Sequence, residues 1–428
     1  MQWQGGCLKV LRKFLEEVGA VYIDDEVDPD YGFAEYLTKT DIPVVFRRVR
    51  GYPGLKVVGN LCSSRRMISK AIKIPYEKLH EAWSDALEHP KSYEYTDSAE
   101  FMENVYEKPD LIKHLPFPIF YRGLGRRYAT GTIVLARDPE TGRMNASFHR
   151  LMLLEKNKLA IRIVPRDLYR FYTLNRKLGR DTKVAIVSGV HPTICMAAAT
   201  SYPELNELQL ARVFHEFQCI NMDGLDVPAE AEIVMVGKIL KDEEADEGPF
   251  VDLTGTIDAV RKQPILEVEK LYMKREPIWH LILPGGLEHK HLMGVPQEAR
   301  MLKIIKNTVP TVKSVHLTSG GCCWLHAVVA IKKMHEGDGK NAGLAALAAH
   351  PSLKMVIVVD DDIDVENPND VEWALATRLQ PDKGVVIISG VRGSSLDPSQ
   401  GKTGLTSKWI VDATIPLGAD INSFRRLV

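Results

Sequence analysis

The sequence predicts a multidomain α/β protein in which a strand-rich, barrel-like middle is flanked by two α/β domains. At 428 residues the chain is too long for one ordinary hydrophobic core. From about Tyr128 to Leu283, strand patterns outnumber long helical ones, the texture of a barrel-like sheet with helical insertions. After Gly286, strand and helix patterns alternate, which implies a layered, parallel sheet. The boundaries fall at 1–106, 107–295 and 296–428.

The elements follow from local chemistry. Residues 8–18 have helical periodicity and stop at Gly19. Residues 42–46 and 55–59 read as strands, and the run from Cys62 through Arg66 opens a helix. A proline-rich linker with Pro109, Pro116 and Pro118 ends the first domain. In the middle, residues 131–136, 145–154, 159–164, 184–188, 231–239, 264–268 and 278–283 are strand-like. A hairpin turn is predicted at 155–158, and His191-Pro192 opens a helix running to about Thr200. The charged run 241–246 reads as a solvated loop. In the last domain, 296–307 reads as a helix with Pro296 in its first turn, 312–317 as a strand and 325–335 as a helix. Residues 355–360 read as a buried strand, 371–378 as a helix and 384–389 as a strand.

Composition narrows the function. A formal net charge of -1 builds in no broad attraction to nucleic acid or membrane, and basic clusters such as Arg47 to Arg50 and Arg122 to Arg127 read as solvated faces or local anion contacts rather than a nucleic-acid footprint. No apolar run reaches the ~20 residues that a membrane span needs. Six cysteines (Cys7, Cys62, Cys195, Cys219, Cys322 and Cys323) form no CxxC pair, so a zinc ribbon or thioredoxin-like site is not expected. Cys322 and Cys323 read as buried thiols in an apolar run. The pattern fits a reducing cytoplasm, and the first residues lack a signal-peptide layout.

Two short segments carry the chemistry. Asn145, Ser147, Phe148, His149 and Arg150 place an amide, a hydroxyl, an imidazole and a guanidinium within six residues. Arg150 offers a planar fork of donors suited to a carboxylate. Asn145 can ligate a metal through its side-chain oxygen, but its strand parity is opposite to that of Arg150, so a bulge or bend is needed for both to face one site. Glu247 and Asp252 bracket Gly248-Pro249, a turn that can aim both carboxylates at one point. An arginine between them would keep one ionised while a hydrophobic pocket raises the other, giving an acid able to shuttle a proton. Alone, Arg150 is more often an exposed strand arginine, and Glu247 an extension of the charged loop before it.

Together these segments resemble the active site of the UbiD-like decarboxylases that use prenylated FMN. The resemblance spans roughly residues 40–415 and is strongest at 145–150, 156–165, 226–234, 247–252 and 358–362. It implies a central split β-barrel of flavin-reductase-like type that carries the cofactor, with Mn²⁺ and K⁺ at the cofactor phosphate. Arg150, Glu247 and Asp252 then stand at the catalytic positions, with Glu247 the favoured acid/base. Asn145 and Glu207 stand at metal-binding positions. Ser147, Phe148, His149, Arg150 and Lys408 stand along the cofactor. One departure concerns the family's usual histidine ligand, because the chain reads Pro165-Arg166-Asp167 there. Asp167 is then a candidate hard oxygen ligand, or Arg166 a direct phosphate contact.

The resemblance also implies a flavin prenyltransferase as cofactor supplier, a small carboxylic acid substrate and a homo-oligomer. The texture is most like that of short archaeal-type members, some of which decarboxylate trans-anhydromevalonate 5-phosphate to isopentenyl phosphate. An aromatic acid such as a hydroxybenzoate is the rival substrate. Two other classes compete: a non-catalytic flavin-binding or assembly subunit, and a metal-dependent transferase built on Asp360, Asp361 and Asp362 at a strand end. His289, Lys290 and His291 suit a polar loop over a site. Thr318 to Gly321 precede a helical pattern and offer backbone N–H groups.

Overall fold

The computed structural model describes residues 10–427; Cys7 and the start of the predicted first helix, at Leu8, lie outside the described residues. The chain divides into two compact units. The first runs to Leu79 and resumes over Asp85–Leu292; the second takes in His80–Ser84 and Met293–Val428.

The first unit holds a small sheet ordered Val21–Val27, Val44–Val49, Lys56–Gly59, Ile278–His280. The helix Arg65–Ile72 follows it, capped by the Ser64 side chain, which accepts from the Met67 N–H at 3.3 Å. The larger sheet has nine strands, all paired antiparallel. Its path runs Tyr128–Ala129, Leu151–Glu155, Lys158–Ile161, Arg261–Met273, Ile233–Glu247, Thr182–Ser188, Ile133–Arg137, Met144–Phe148, with Asn104–Glu107 alongside Arg261–Met273. No strand pair closes this path among the described residues. Its interior packs Trp279, Phe117 and Phe171 with Val184, Ile186, Ile233 and Leu266, all buried. Val184 and Ile186 alternate along one strand and Ile233 and Met235 along its neighbour, which turns one face of each into this core.

The second unit is a five-stranded sheet ordered Val312–Leu317, His326–Ile331, Met355–Asp360, Leu405–Ala413, Val385–Arg392. The central three strands are parallel and the two outer pairings antiparallel. Helices Asp338–Ala349 and Pro368–Arg378 complete it. Among the described residues no helix is long and apolar enough to cross a membrane.

Several local expectations need correction. The run 325–335 is no helix: His326–Ile331 is a strand buried on both faces, where β-branched residues satisfy two neighbours. Thr318 to Gly321 therefore precede a strand, through a tight turn with Cys322 and Cys323 at positive φ (61° and 51°). Cys323 is buried but Cys322 is half-exposed. Pro296 lies inside the helix Leu287–Thr308 rather than at its start. His289, Lys290 and His291 are therefore helical and not a loop. The charged run 241–246 continues the strand Ile233–Glu247, past an irregularity between Ile239 and Glu244, and pairs Glu247 with Arg261.

Candidate active site

The strand Met144–Phe148 is the last of the nine-stranded path and Leu151–Glu155 is second from its other end, yet only His149 and Arg150 lie between them. The chain breaks strand geometry at those two residues. That break removes the parity conflict between Asn145 and Arg150. Asn145 faces inward and is buried, while Arg150 turns toward the end of the Glu247 strand. His149 is pinned by a backbone hydrogen bond from its N–H to the Thr132 carbonyl (3.4 Å) and by the Thr132 hydroxyl, which donates to the His149 carbonyl (3.1 Å).

Glu247 is the last residue of its long strand and is fully buried. Its carboxylate receives Arg150 Nε and Nη2, each at 2.9 Å, and the Tyr128 hydroxyl at 3.0 Å. Gly248 follows at φ 110°, a conformation that favours glycine, and turns the chain toward Asp252. Arg150 Nη1 donates to Asp252 at 3.1 Å. A third acid joins: Arg150 Nη2 donates to Asp258 at 2.9 Å, and Arg261 Nη1 donates to the other Asp258 oxygen at 2.5 Å. The Phe250 ring lies under the Arg150 guanidinium, 4.3 Å from its centroid.

Electrostatics follow from this packing. Burial disfavours the Arg150 charge, but the Glu247 hydrogen bonds and the surrounding acids outweigh it and hold the guanidinium charged. Burial likewise opposes ionisation of Asp258, yet the hydrogen bonds from Arg261 and Arg150 hold its carboxyl below the usual aspartate range. Burial, then the adjacent Glu247 charge, pushes the Tyr128 phenol up, so it stays a donor. His289 accepts the Gly285 N–H through Nδ1 at 3.1 Å, and burial pushes its imidazole down, so it is neutral.

The other end of the Asn145 strand builds a second cluster. Asn145 Nδ2 donates to Glu207 at 2.9 Å and the Ala146 N–H donates to its other oxygen at 2.8 Å. Burial pushes the Glu207 carboxyl up to about 8. His149 donates through Nδ1 to the Arg162 carbonyl at 2.8 Å, which leaves Nε2 to accept the Ser147 hydroxyl at 3.0 Å. Burial lowers the His149 imidazole to about 4. With the single Ser147 proton on His149, the Asn145 oxygen, 3.2 Å from Ser147 Oγ, has a lone pair to offer a cation. Asp167 is the first residue of the helix Asp167–Lys177 and pairs with Arg143 at 3.1 Å. Its charge is felt by Glu207. Oxygen donors from Asn145, Asp167 and Glu207 fit a hard divalent ion such as Mn²⁺ better than a soft one. Among the described residues no group of three His, Cys, Asp or Glu side chains is placed to hold a metal ion. Asn145, Ser147 and His149 form a hydrogen-bonded polar track that runs from this cluster toward Arg150.

Three consecutive stretches match models of the 3-octaprenyl-4-hydroxybenzoate carboxy-lyase family, UbiD: the N-terminal domain over residues 13–87, the Rift-related domain over 94–287 and the C-terminal domain over 290–413. The chain is 47% identical over 97% of its length to anhydromevalonate phosphate decarboxylase of Methanocaldococcus jannaschii, covering 99% of that protein. It is 41% identical, with the same two coverages, to the protein of that name from Methanothermobacter thermautotrophicus.

The chain belongs to the UbiD family.

Solved structures agree. The UbiD-class enzyme HmfF from Pelotomaculum thermopropionicum, in complex with FMN, superposes with a TM-score of 0.95 at 36% identity, over 98% of this chain and 97% of that one. An evolved dimeric form of HmfF, in complex with prFMN, superposes at 0.90 and 34% identity, with the same coverages. The mixed α/β multidomain fold is that of the UbiD enzymes.

Within this UbiD fold, sequence reasoning found Arg150, Glu247, Asp252, Asn145 and Glu207, and the structure gathers them in two adjoining clusters. Glu207 is buried, not a helix-surface residue, and Glu247 is not part of a solvated loop. Asp258, Tyr128 and Arg261 were missed. The acid and base in Asp258-Ala-Val-Arg261 sit three residues apart, but that spacing is common on any surface. Phe148 is half-exposed at the strand end, and Arg166 is exposed just before the Asp167 helix. Lys408 belongs to the second unit, buried in the strand Leu405–Ala413, where it donates to the Pro351 carbonyl. The transferase reading of Asp360 to Asp362 loses its basis. The fully buried Arg378 side chain takes both Asp360 and Asp362 at 2.7 Å, so the triplet closes an internal ion pair.

Proposed function

We propose that this UbiD-family chain is a prenylated-FMN-dependent decarboxylase that converts trans-anhydromevalonate 5-phosphate to isopentenyl phosphate and CO2. The carrying observation is the largely buried guanidinium of Arg150 held among Glu247, Asp252 and Asp258, in a chain so close to the archaeal decarboxylases of that substrate. Loss of CO2 leaves an electron pair on the carbon that held it, and prenylated FMN supplies the electron sink. The chain does the rest. Arg150 orients the carboxylate that departs. Glu247, fixed by Arg150 and Tyr128, is the acid that delivers a proton to that carbon as the C–C bond breaks. Asp252, with 19% of its side chain exposed, holds Arg150 and passes protons between solvent and Glu247.

Asn145, Asp167 and Glu207 would hold Mn²⁺ at the cofactor phosphate, with K⁺ beside it and Arg166 against the phosphate. Ser147, Phe148 and His149 line the flavin. The nine-stranded sheet is read as a split barrel. Its support is the short His149–Arg150 link, which can span only about 10 Å and so draws the last strand of the path toward the second strand from its other end. A three-domain division near 106 and 295 is supported by the three successive family matches. A flavin prenyltransferase supplies the cofactor, and the protein works as a homo-oligomer.

The test is CO2 release by protein co-produced with a flavin prenyltransferase. Turnover of trans-anhydromevalonate 5-phosphate is the expected result. Turnover only of an aromatic acid would keep the chemistry and discard this substrate. Loaded protein that decarboxylates nothing would point to a cofactor-binding subunit.

A further inference from the structure

An arginine side chain carries five N–H donors. Counted at one per acceptor, four of those on Arg150 are taken: Nε and one Nη2 N–H by Glu247, the other Nη2 N–H by Asp258, and one Nη1 N–H by Asp252. Among the described residues the fifth, on Nη1, has no acceptor. A carboxylate that binds Arg150 must therefore come to Nη1, beside Asp252 or in its place. Its orientation is then set by whatever holds the opposite, Nη2 end of the guanidinium plane.

Glu247 holds that end in the resting protein, but it is also the proposed proton donor. In its acid form the carboxyl is neutral, so its two bonds to Arg150 lose the strength that charge gives them. Asp258 has no such duty. Its Oδ1 accepts Arg261 Nη1 at 2.5 Å and the Ala259 N–H at 2.9 Å, and its Oδ2 accepts Arg150 Nη2 at 2.9 Å. Burial opposes its ionisation, and the bonds from Arg261 and Arg150 outweigh burial. Toward Arg150 alone, Asp258 offers a single bond and could turn away. Arg261 removes that freedom. It opens the strand Arg261–Met273 on the rung where Glu247 closes its own strand. Its Nη1 also donates to the Ala259 carbonyl at 3.1 Å, which ties down the turn between Asp258 and the strand.

We propose that Arg261 is a positioning residue for decarboxylation: through Asp258 it fixes the Nη2 end of Arg150, so that the Nη1 end meets the substrate carboxylate in one orientation. The inference rests on the reading of Arg150 as the carboxylate receptor. The side-chain hydrogen bonds of Arg261 go to Asp258 and Ala259, so it acts on Arg150 at one remove. Arginine suits the task because it is charged at every working pH and its fixed donors reach a carboxylate and a carbonyl at once.

The test is a double-mutant cycle on flavin-loaded enzyme: wild type, Arg261→Met, Asp258→Asn and the two together. For each, kcat/KM on trans-anhydromevalonate 5-phosphate, bound flavin per chain and inhibition by isopentenyl phosphate, which lacks the carboxylate, are measured. Arg261→Met should lower kcat/KM about 10-fold, the scale of one lost hydrogen bond to a charged group. Flavin content and inhibition by isopentenyl phosphate should not change. In the Asp258→Asn background, Arg261→Met should cost nothing further, because its effect passes through Asp258. Arg261→Lys, which keeps a charged donor, should recover part of the loss and guards against a folding defect in the first variant. Unchanged kcat/KM overturns the proposal, and so do losses that simply add. Inhibition by isopentenyl phosphate that weakens in step with kcat/KM also overturns it, since the defect would then be a general loosening of the site. Wild type active only on an aromatic acid defeats the substrate reading alone; the same cycle run on that acid, with its decarboxylated product as inhibitor, then decides the role of Arg261. Loaded wild type that releases CO2 from no acid removes Arg150 as carboxylate receptor and this proposal with it.

Discussion

Arg150 Nε and Nη2 donate in parallel to the two oxygens of Glu247, both at 2.9 Å. This two-bond contact fixes the plane of the guanidinium and the rotamer of the acid together. Nη1 is left to Asp252, and Nη2 is shared with Asp258. The geometry makes Glu247 the orienting partner and leaves each of the other two acids a single bond.

Glu247→Gln keeps the shape and removes the transferable proton. Turnover should fall on the order of 100-fold or more, the usual loss for a general acid, while flavin absorbance per chain is retained. Single-turnover CO2 release reads this directly. Full turnover in a flavin-loaded variant would remove Glu247 from the role of proton donor.

Asp258 supports Arg150 only while ionised. An unfolded aspartate titrates near pH 3.9, and the folded group titrates lower, against its burial, through Arg261 and Arg150. Its stabilisation is therefore present above the unfolded value and lost as pH falls through the folded one. Wild type should be more stable than Asp258→Asn at neutral pH, and the gap should shrink below about pH 4. Denaturant unfolding at a series of pH values measures it. A pH-independent gap would mean that the ion pairs contribute nothing.

Glu207 has the opposite sign. Burial raises its carboxyl to about 8, whereas the unfolded chain ionises near 4.3. Between those values the unfolded chain has lost a proton that the folded protein keeps, so stability falls as pH rises across that window. Glu207→Gln should remove this slope in cofactor-free protein and be the more stable form at pH 8. Binding of Mn²⁺ with FMN near pH 7 should expel about one proton, seen as buffer-dependent heat in calorimetry. Binding without proton release would exclude Glu207 as a ligand.

Asp167 pairs with Arg143 through one oxygen at 3.1 Å, and the proposed function gives its other oxygen to Mn²⁺. Asp167→Asn should weaken Mn²⁺ retention about 10- to 100-fold, the scale for altering a metal's immediate surroundings. Titration of the Mn²⁺ electron paramagnetic resonance signal reads the free ion. An unchanged affinity would leave Asp167 as a partner of Arg143 alone.

Much of the site was legible because its parts are local and together resemble the UbiD active site; taken alone, Arg150 reads as an exposed strand arginine and Glu247 as a loop acid. Asn145 to Arg150 and Glu247 to Asp252 are short segments whose residue types match a carboxylate receptor and a proton donor. The requirement for a bend between Asn145 and Arg150 also followed from strand parity, and the chain supplies it between Phe148 and Leu151. Asp258 and Tyr128 were not legible. Tyr128 reaches Glu247 across 119 residues of sequence, and Asp258 reaches Arg150 across 108.

The sequence by itself determined most element types, the strand-rich middle and the chemical character of the two key segments, because turn residues, apolar periodicity and functional groups are properties of neighbours in the chain. Only the tertiary structure decided that the acidic run 241–246 is strand, that His326–Ile331 is strand rather than helix, and that Asp360 and Asp362 serve Arg378. It also decided that Asp258 ties Arg150 to Arg261. Each of these turns on pairing between distant segments. A charged run becomes strand when a partner's backbone satisfies it, and a charge acquires its role from the opposite charge that burial places beside it.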